Sequence, residues 1–182
     1  MDKLGVIGAG QMGAGVAQVA AQAGLDVLLA DVAIERAEAA KAGIARQLGR
    51  LVEKEKLTAE ARDAALARIR PVADYAPMAD AQLIIEAATE REEIKQAIFA
   101  KAGAVLAPGA VLATNTSSIS ITRLAQASAD PARFIGIHFF NPVPLMALVE
   151  LIPGLATAAE TVATARAFAE RIGKTVVVAQ DR

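Results

Sequence analysis

The sequence contains no cysteine and a single histidine, and only 3% of its 182 residues are aromatic. The absence of cysteine excludes disulfides and thiolate-ligated metal centres, and one histidine excludes a metal site built from several imidazoles. Lysine and arginine number 19 against 20 aspartate and glutamate residues. Because no basic excess is present, we expect neither nucleic acid nor an anionic membrane as a partner, and no resident metal.

Although aromatic residues are scarce, hydrophobic residues make up 54% of the chain. A core for one domain of ordinary size can therefore be built from Ala, Val, Ile and Leu. Glycine, glutamine and aspartate residues interrupt the apolar stretch 4–30, so it contains no span of about 20 apolar residues. No basic segment with a following cleavage site is evident. These features predict a soluble, cytoplasmic protein.

Short apolar runs alternate along the chain with longer amphipathic segments. This alternation predicts an α/β fold of Rossmann type over residues 1–182, with a doubly wound, mostly parallel sheet and helices on both faces. The predicted strands cover 4–7, 26–30, 69–72, 83–86, 111–114, 134–138, 148–152 and 175–178, and the predicted helices cover 12–23, 33–56, 58–66, 92–102, 120–127 and 161–172.

One connection departs from this pattern. Only residues 139–147 separate the strand that ends at His138 from the next strand. A crossover between parallel strands needs about a dozen residues or more. We therefore predict that these two strands are not joined as a βαβ unit.

A glycine-rich turn lies between the first predicted strand and the first predicted helix. It reads Gly8-Ala9-Gly10-Gln11-Met12-Gly13. Gly8 permits the tight turn, Gly10 lets the backbone approach a pyrophosphate, and Gly13 lets the helix pack closely on the sheet. The free amides and the helix dipole favour phosphates at this point. The glycine motif alone is weak evidence, but its position between strand and helix predicts dinucleotide binding.

An acidic residue, Asp31, follows the second predicted strand. At this place a carboxylate accepts hydrogen bonds from the adenosine ribose hydroxyls. A 2′-phosphate about 4 Å away would cost roughly 1–4 kcal/mol at surface dielectric, so Asp31 favours NAD over NADP. Arg36 is near in sequence but on the following predicted helix, and we give it little weight. A Rossmann fold with a vacated site, or a flavin-binding version, remains as an alternative.

The single histidine, His138, ends an apolar predicted strand. Ligands of open α/β sheets bind outside the carboxyl ends of strands, which places His138 within reach of a substrate. Glu150 lies in the next apolar run, where an unpaired carboxylate is costly, so we predict that the two side chains pair. The carboxylate would fix the imidazole tautomer and leave the other nitrogen to exchange a proton. The alternatives are a satisfied core histidine and a glutamate that faces water.

Two further groups of polar residues lie near predicted strand ends. The segment Thr114-Asn115-Thr116-Ser117-Ser118 follows a strand, and its small hydroxyls and amide could bind a substrate oxygen or a carboxamide. The alternative is helix capping, particularly for Ser118 or Ser120. Glu90 and Lys95 flank the start of the helix at 92–102. From their positions in the sequence alone, we interpret both residues as solvated surface charges.

Together, the glycine turn 8–13, Asn115-Thr116-Ser117-Ser118 and His138-Phe139-Phe140-Asn141-Pro142-Val143-Pro144 resemble the NAD-binding domain of L-3-hydroxyacyl-CoA dehydrogenases. The resemblance extends from the first strand to residue 182. It is most specific in the segment that starts at His138 and has its glutamate twelve residues later. It implies NAD as cofactor and the oxidation of (3S)-3-hydroxyacyl-CoA to 3-oxoacyl-CoA, a reaction of fatty-acid β-oxidation.

The resemblance also implies a role for each matching residue. His138 would be the catalytic acid/base and Glu150 its partner, while Ser117 would bind the substrate oxygen near the nicotinamide. Lys54 aligns loosely with a position that contacts the CoA phosphate. The remaining cofactor contacts implied beyond the glycine turn and Asp31 are Glu90, Lys95, Asn115 and Asn141.

Members of this family continue into an all-helical C-terminal domain, which closes over the acyl chain and forms much of a dimer interface. The chain lacks that domain, so we expect it to bind NAD(H) with little or no turnover alone, and the full-length protein to be a homodimer. A lambda-crystallin-like L-gulonate 3-dehydrogenase remains a close alternative. A non-catalytic nucleotide-binding module is a more distant one, since NAD binding requires no acid–base pair.

Overall fold

Eight strands form one sheet in the computed structural model, which describes residues 1–182. The strands are β1 (Lys3–Ile7), β2 (Asp26–Ala30), β3 (Ile69–Val72), β4 (Leu83–Glu86), β5 (Val111–Thr114), β6 (Phe134–Phe139), β7 (Leu148–Pro153) and β8 (Thr175–Val178). The helices are α1 (Gln11–Gln22), α2 (Ile34–Glu53), α3 (Ala59–Arg68), α4 (Glu92–Val105), α5 (Ile121–Ala125) and α6 (Ala159–Arg171). Every predicted strand and helix is therefore confirmed, with ends that differ by a few residues.

The strand order across the sheet is β3-β2-β1-β4-β5-β6-β7-β8. All neighbouring strands from β3 to β6 are parallel, β7 is antiparallel to β6, and β8 is parallel to β7. The Rossmann-type, mostly parallel sheet is confirmed, and so is the prediction that no βαβ crossover joins β6 to β7. The order reverses between β1 and β4, which is the switch point where such sheets bind ligands.

Helices cover both faces of the sheet, and each face has its own core. One core contains 28 buried residues and joins α1, α2, α3 and α6 to the sheet through side chains such as Val16, Leu48 and Phe168. The other contains 15 buried residues and joins α4 and α5 through Phe99 and Leu124. Because both faces are covered, the central strands are continuous apolar runs. None of the helices is both long and apolar enough to cross a membrane.

The helix predicted over 33–56 ends earlier than expected. Glu55 adopts a left-handed backbone conformation with φ of 59°, and the Lys56 amide donates to the Leu51 carbonyl at 2.8 Å. This reversal leaves Lys54 as the residue that closes α2. Such a stop usually requires glycine or asparagine, and neither is present, so the sequence carried no signal for it.

The glycine turn has the geometry that its sequence predicts. Gly8 has φ of 110°, and a Cβ there would lie 2.6 Å from the carbonyl of Ala87. A Cβ on Gly13 would lie 1.7 Å from the Gly8 carbonyl oxygen. Both positions therefore require glycine, the first for its backbone angle and the second for the close packing of α1 on the turn.

Candidate active site

A cleft of about 360 Å³ opens at the carboxyl ends of the parallel strands. Most of the side chains predicted for chemistry come together here. The glycine turn provides Met12 to the lining of the cleft, and β6 provides His138. The residues that line the cleft are Met12, Glu90, Asn115, Ser117, Ser118, His138, Phe139, Phe140 and Asn141.

His138 and Glu150 form the predicted pair. They lie directly opposite one another in the antiparallel ladder of β6 and β7, so their side chains project from the same face of the sheet. His138 Nδ1 lies 3.0 Å from Glu150 Oε1. The side chains keep 20% and 28% of their surface exposed. This exposure leaves the second imidazole nitrogen available to a molecule in the cleft.

Phe140 and Asn115 hold the histidine region in place. The Phe140 ring meets the imidazole edge-on, with 4.6 Å between ring centroids. Asn115 Oδ1 accepts a hydrogen bond from the Phe139 amide at 2.9 Å. The Asn115 side-chain amide thus ties the end of β5 to the residue that follows His138. Its NH₂ group stays available to a ligand carbonyl in the cleft.

Glu90 organises the loop that carries Ser117. Its Oε2 accepts hydrogen bonds from the hydroxyls of Thr116 and Ser118, each at 2.8 Å. Because the Thr116 and Ser118 hydroxyls donate to Glu90, the Ser117 hydroxyl between them remains available to a substrate in the cleft. Glu90 is neither an isolated surface charge nor remote from the site. It lines the cleft, as the family resemblance implies for a cofactor-contacting residue.

The glycine turn and Asp31 lie side by side, after the ends of β1 and β2. Asp31 accepts hydrogen bonds from the amides of Ala9 at 2.7 Å and Val32 at 2.6 Å, which place its carboxylate beside the turn. Arg36 lies closer than expected, with Nε 3.7 Å from Asp31 Oδ1. The Arg36 side chain is 66% exposed, so this ion pair is weakened by solvent. Asn141 reaches across from the histidine side, with Nδ2 3.5 Å from Gln11 Oε1.

The start of α1 and the glycine turn have features that fit a bound dinucleotide. Helix α1 begins without a side-chain cap and without an acidic residue in its first turn. Its amides and dipole are therefore free to act on a phosphate. A Cβ added to Gly10 would meet nothing within 4 Å, so space lies above the backbone where a pyrophosphate would approach.

Lys95 is buried, which contradicts its interpretation as a solvated surface charge. Its side chain is 1% exposed, and Nζ contacts Glu86 Oε1 at 2.6 Å and Thr114 Oγ1 at 3.3 Å. It is therefore not a solvated charge. Its contact with the cofactor, which the family resemblance implies, stays a prediction.

Lys54 lies outside the cleft. It is exposed at the C-terminal end of α2, and it makes no hydrogen bond or ion pair with any residue of the site. Its proposed contact with a CoA phosphate stays a prediction.

Two carboxylates with several partners inside the protein were not identified from the sequence. Glu86 ends the buried run of β4, and the reasoning that identified Glu150 as needing a partner applies to it equally. Asp181 accepts hydrogen bonds from the Ile121 and Thr122 amides, at 2.6 and 2.8 Å, and so ties the segment after β8 to the start of α5. Burial alone would raise the pKa of Asp181, but the hydrogen bonds from Thr122, Ile121 and Arg182 outweigh it and lower that pKa.

The glycine turn, the acidic residue at the end of β2 and the histidine–glutamate pair define a dinucleotide-dependent dehydrogenase domain. A family model described as 3-hydroxyacyl-CoA dehydrogenase, NAD binding domain, matches residues 3–182. The chain belongs to this family, and its cofactor is NAD.

Individual relatives agree with this assignment. The chain is 52% identical to a 3-hydroxybutyryl-CoA dehydrogenase of Bradyrhizobium diazoefficiens over 100% of its own length and 62% of that protein. It is 51% identical to a 3-hydroxyadipyl-CoA dehydrogenase of Escherichia coli over 89% of its length and 34% of that protein. The crystal structure of (S)-3-hydroxybutyryl-CoA dehydrogenase from Ralstonia eutropha superposes with a TM-score of 0.98 at 41% identity, covering 100% of this chain and 64% of that one. The chain therefore spans less than two thirds of each of these relatives.

Proposed function

We propose that this domain, in its complete protein, oxidises (3S)-3-hydroxyacyl-CoA to 3-oxoacyl-CoA with NAD⁺. The observation that carries the proposal is the contact of 3.0 Å between His138 Nδ1 and Glu150 Oε1, at the rim of a cleft that also contains Met12 of the glycine turn and Ser117. The names of the Bradyrhizobium and Ralstonia relatives support a hydroxyacyl-CoA as the substrate class.

The chain's own residues account for the proton and for the orientation of the substrate. Glu150 accepts a hydrogen bond from the Nδ1–H group of His138, which leaves the Nε2 lone pair available to a substrate in the cleft. His138 then removes the proton of the substrate hydroxyl, and Glu150 stabilises the imidazolium that forms. Ser117 donates to the substrate oxygen and holds it near His138. NAD⁺, when bound, supplies the acceptor for the hydride that leaves the substrate carbon.

Further properties of the complete protein belong to the same proposal. We infer a homodimer assembled through a C-terminal domain, a CoA contact at Lys54 and a cytoplasmic location. The relatives are longer than this chain, which is consistent with a further domain, and the dimer itself rests on the family resemblance. Size-exclusion chromatography of the full-length protein, CoA titration of Lys54→Ala and cell fractionation test these three statements in turn.

The central test replaces His138 by alanine in the full-length protein. A general base contributes about 10²–10⁴-fold to the rate, so kcat/KM for a 3-hydroxyacyl-CoA is expected to fall by that factor. NADH affinity should change little because the glycine turn and Asp31 are untouched. Near-normal activity of His138→Ala would show that another residue is the base.

A substrate panel separates the proposal from its alternatives. The full-length protein is assayed for NADH formation with 3-hydroxybutyryl-CoA, 3-hydroxyadipyl-CoA and L-gulonate. Activity with the acyl-CoA substrates supports the proposal, and the preferred acyl chain identifies the substrate more closely. Activity with L-gulonate alone would favour the L-gulonate 3-dehydrogenase. NADH binding without turnover of any substrate would favour a non-catalytic module.

A further inference from the structure

The connection between β6 and β7, residues 140–147, is held by a lysine from outside it. We call this segment the β6–β7 loop. Lys174, which lies between α6 and β8, donates from Nζ to the carbonyl of Val143 at 2.6 Å and to the carbonyl of Met146 at 2.7 Å. The middle of the loop is therefore fixed by a residue 31 and 28 positions away in the sequence.

The two partners of Lys174 are neutral carbonyls, and Lys174 belongs to no ion pair. Burial lowers the pKa of Lys174 from its ordinary value of 10.5, as expected for a cation that no carboxylate compensates. The sheet already fixes both ends of the loop, since Phe139 pairs with Val149 and the Thr175 amide donates to the Ala147 carbonyl at 2.7 Å. A costly cation that also fixes the middle is explained if the loop has to hold one particular position.

The β6–β7 loop packs directly against α1, the helix that begins in the glycine turn. Val143 is 2% exposed, and a Cβ added to Gly15 of α1 would lie 2.8 Å from the Cβ of Val143. Loop and helix are therefore so close that no methyl group fits between them. The carbonyl of the same residue, Val143, accepts a hydrogen bond from Lys174, so the lysine acts on the residue that contacts α1.

The beginning of the same loop reaches the cofactor cleft through Asn141. The Asn141 side chain lines the cleft, and its Nδ2 lies 3.5 Å from Gln11 Oε1 at the start of α1. The next residue, Pro142, accepts hydrogen bonds at its carbonyl from the amides of Leu145 and Met146, at 3.0 and 3.1 Å. The turn that the lysine holds thus begins beside Asn141, and a shift of this turn would displace Asn141 in the cleft.

We propose that Lys174 is a positioning residue for the cofactor, which holds the β6–β7 loop against α1 and so keeps Asn141 in contact with the nicotinamide half of NAD(H). Lys174 is not among the residues that line the cleft, and it acts through the loop. The inference rests on the NAD binding described above and not on the acyl-CoA substrate. The adenosine half depends less on the loop, because Asp31 follows β2 and accepts its hydrogen bonds from Ala9 and Val32.

The test is a double-mutant cycle with ligands that contain and lack the nicotinamide. NADH and AMP are titrated against the wild-type chain, Lys174→Met, Asn141→Ala and the double variant. Lys174→Met keeps a side chain of similar length and removes the ammonium group. Thermal melting monitors folding of each variant. Lys101→Met, at an exposed lysine of α4, is the matched control and should change neither affinity.

We expect Lys174→Met to bind NADH about fivefold more weakly, while its AMP affinity stays within about twofold of the wild type. In the Asn141→Ala background the same change should cost less than about twofold, because the contact through which Lys174 acts is already lost. Unchanged NADH affinity in the folded variant would overturn the proposal. Equal losses for NADH and AMP, or the same loss in both backgrounds, would overturn it as well, since they would indicate general support of the fold.

A second variant keeps the proposal testable if Lys174→Met does not fold. Gly15→Ala retains the lysine, favours the helix and forces the β6–β7 loop away from α1, because the added Cβ would lie 2.8 Å from Val143. We expect about threefold weaker NADH binding with unchanged AMP binding, and unchanged affinity for both ligands would contradict the proposal. Failure of the wild-type chain to bind NADH would contradict the cofactor assignment as well, whereas wild-type binding without loss in the variants contradicts this proposal alone.

Discussion

Two carboxylates of the sheet are each paired with a basic side chain, and the two pairs differ mainly in burial. Glu86 contacts Lys95 at 2.6 Å with both side chains at most 1% exposed. Glu150 contacts His138 at 3.0 Å with side chains 28% and 20% exposed. Both pairs lie at the sheet edge where the parallel strands end, the first enclosed by protein and the second with His138 lining the cleft. The chemical types are similar, but only the second pair is partly exposed.

This difference indicates how the same kind of pair serves two purposes. In the buried pair the surrounding protein excludes water, and the low dielectric strengthens the attraction that joins α4 to β4. In the open pair a nitrogen remains free, so the imidazole can exchange a proton with a substrate. Burial, more than residue type, distinguishes the structural pair from the pair that we propose for proton transfer.

The largest expected effect comes from breaking the buried pair on one side only. Lys95→Met leaves the Glu86 carboxylate buried without its cation, which should reduce the free energy of unfolding by about 3–5 kcal/mol. Urea denaturation measures this loss, with Lys101→Met as control. A loss below about 1 kcal/mol would indicate that water reaches Glu86 and that the two pairs are less different than their exposed fractions suggest.

Breaking the open pair should affect catalysis more than folding. Glu150→Gln in the full-length protein loses the carboxylate that stabilises the imidazolium, so we expect kcat to fall about 100-fold, or roughly 2.7 kcal/mol. The melting temperature should change little because Glu150 is partly exposed. Glu160→Gln, at a side chain 81% exposed, is the control. A large loss of stability with little loss of kcat would show that Glu150 is structural.

A third carboxylate at a strand end, Asp31, has amide partners and is 13% exposed. Asp31→Asn removes the charge that repels a 2′-phosphate, a repulsion of roughly 1–4 kcal/mol. We expect the preference for NADH over NADPH to fall at least about tenfold. Titration with both cofactors measures this change. An unchanged preference would mean that Arg36 or another residue sets the discrimination.

The smallest effect is expected at Asp181, which binds backbone and hydroxyl groups instead of a base. Asp181→Asn should lower stability by about 1 kcal/mol, as for a lost helix cap. Because folding lowers the pKa of Asp181 from its ordinary value of 3.8, its contribution is present above that value and is lost as pH falls through the lowered pKa. Melting curves of wild type and variant should therefore converge in acid. A gap that persists there would contradict this explanation.

The fold and much of the site could be predicted from local patterns. The glycine turn, Asp31 and the pairing of His138 with Glu150 follow from short spacings between a strand end and its neighbours. The absence of a βαβ unit between β6 and β7 was predicted from a connection too short for a crossover, and the structure shows that the two strands are antiparallel. Where the role of a residue follows from its neighbours along the chain, the sequence is sufficient to predict that role.

The roles of Glu86 and Lys95 were not predictable in this way. Glu90 and Lys95 are both charged residues near the start of α4, and the sequence does not distinguish the one that lines the cleft from the one enclosed by protein. That distinction depends on how α4 packs against β4 and β5. The same holds for Asp181, whose partners on α5 lie about sixty positions earlier in the chain.

The sequence by itself determined the order of strands and helices, the cofactor turn and the residue pair that we propose for proton transfer, because hydrophobic period and turn chemistry are local properties. Only the tertiary structure decided which charges are buried. Burial depends on which elements pack together, and here that packing enclosed Lys95 beside Glu86 and left Glu90 at the cleft.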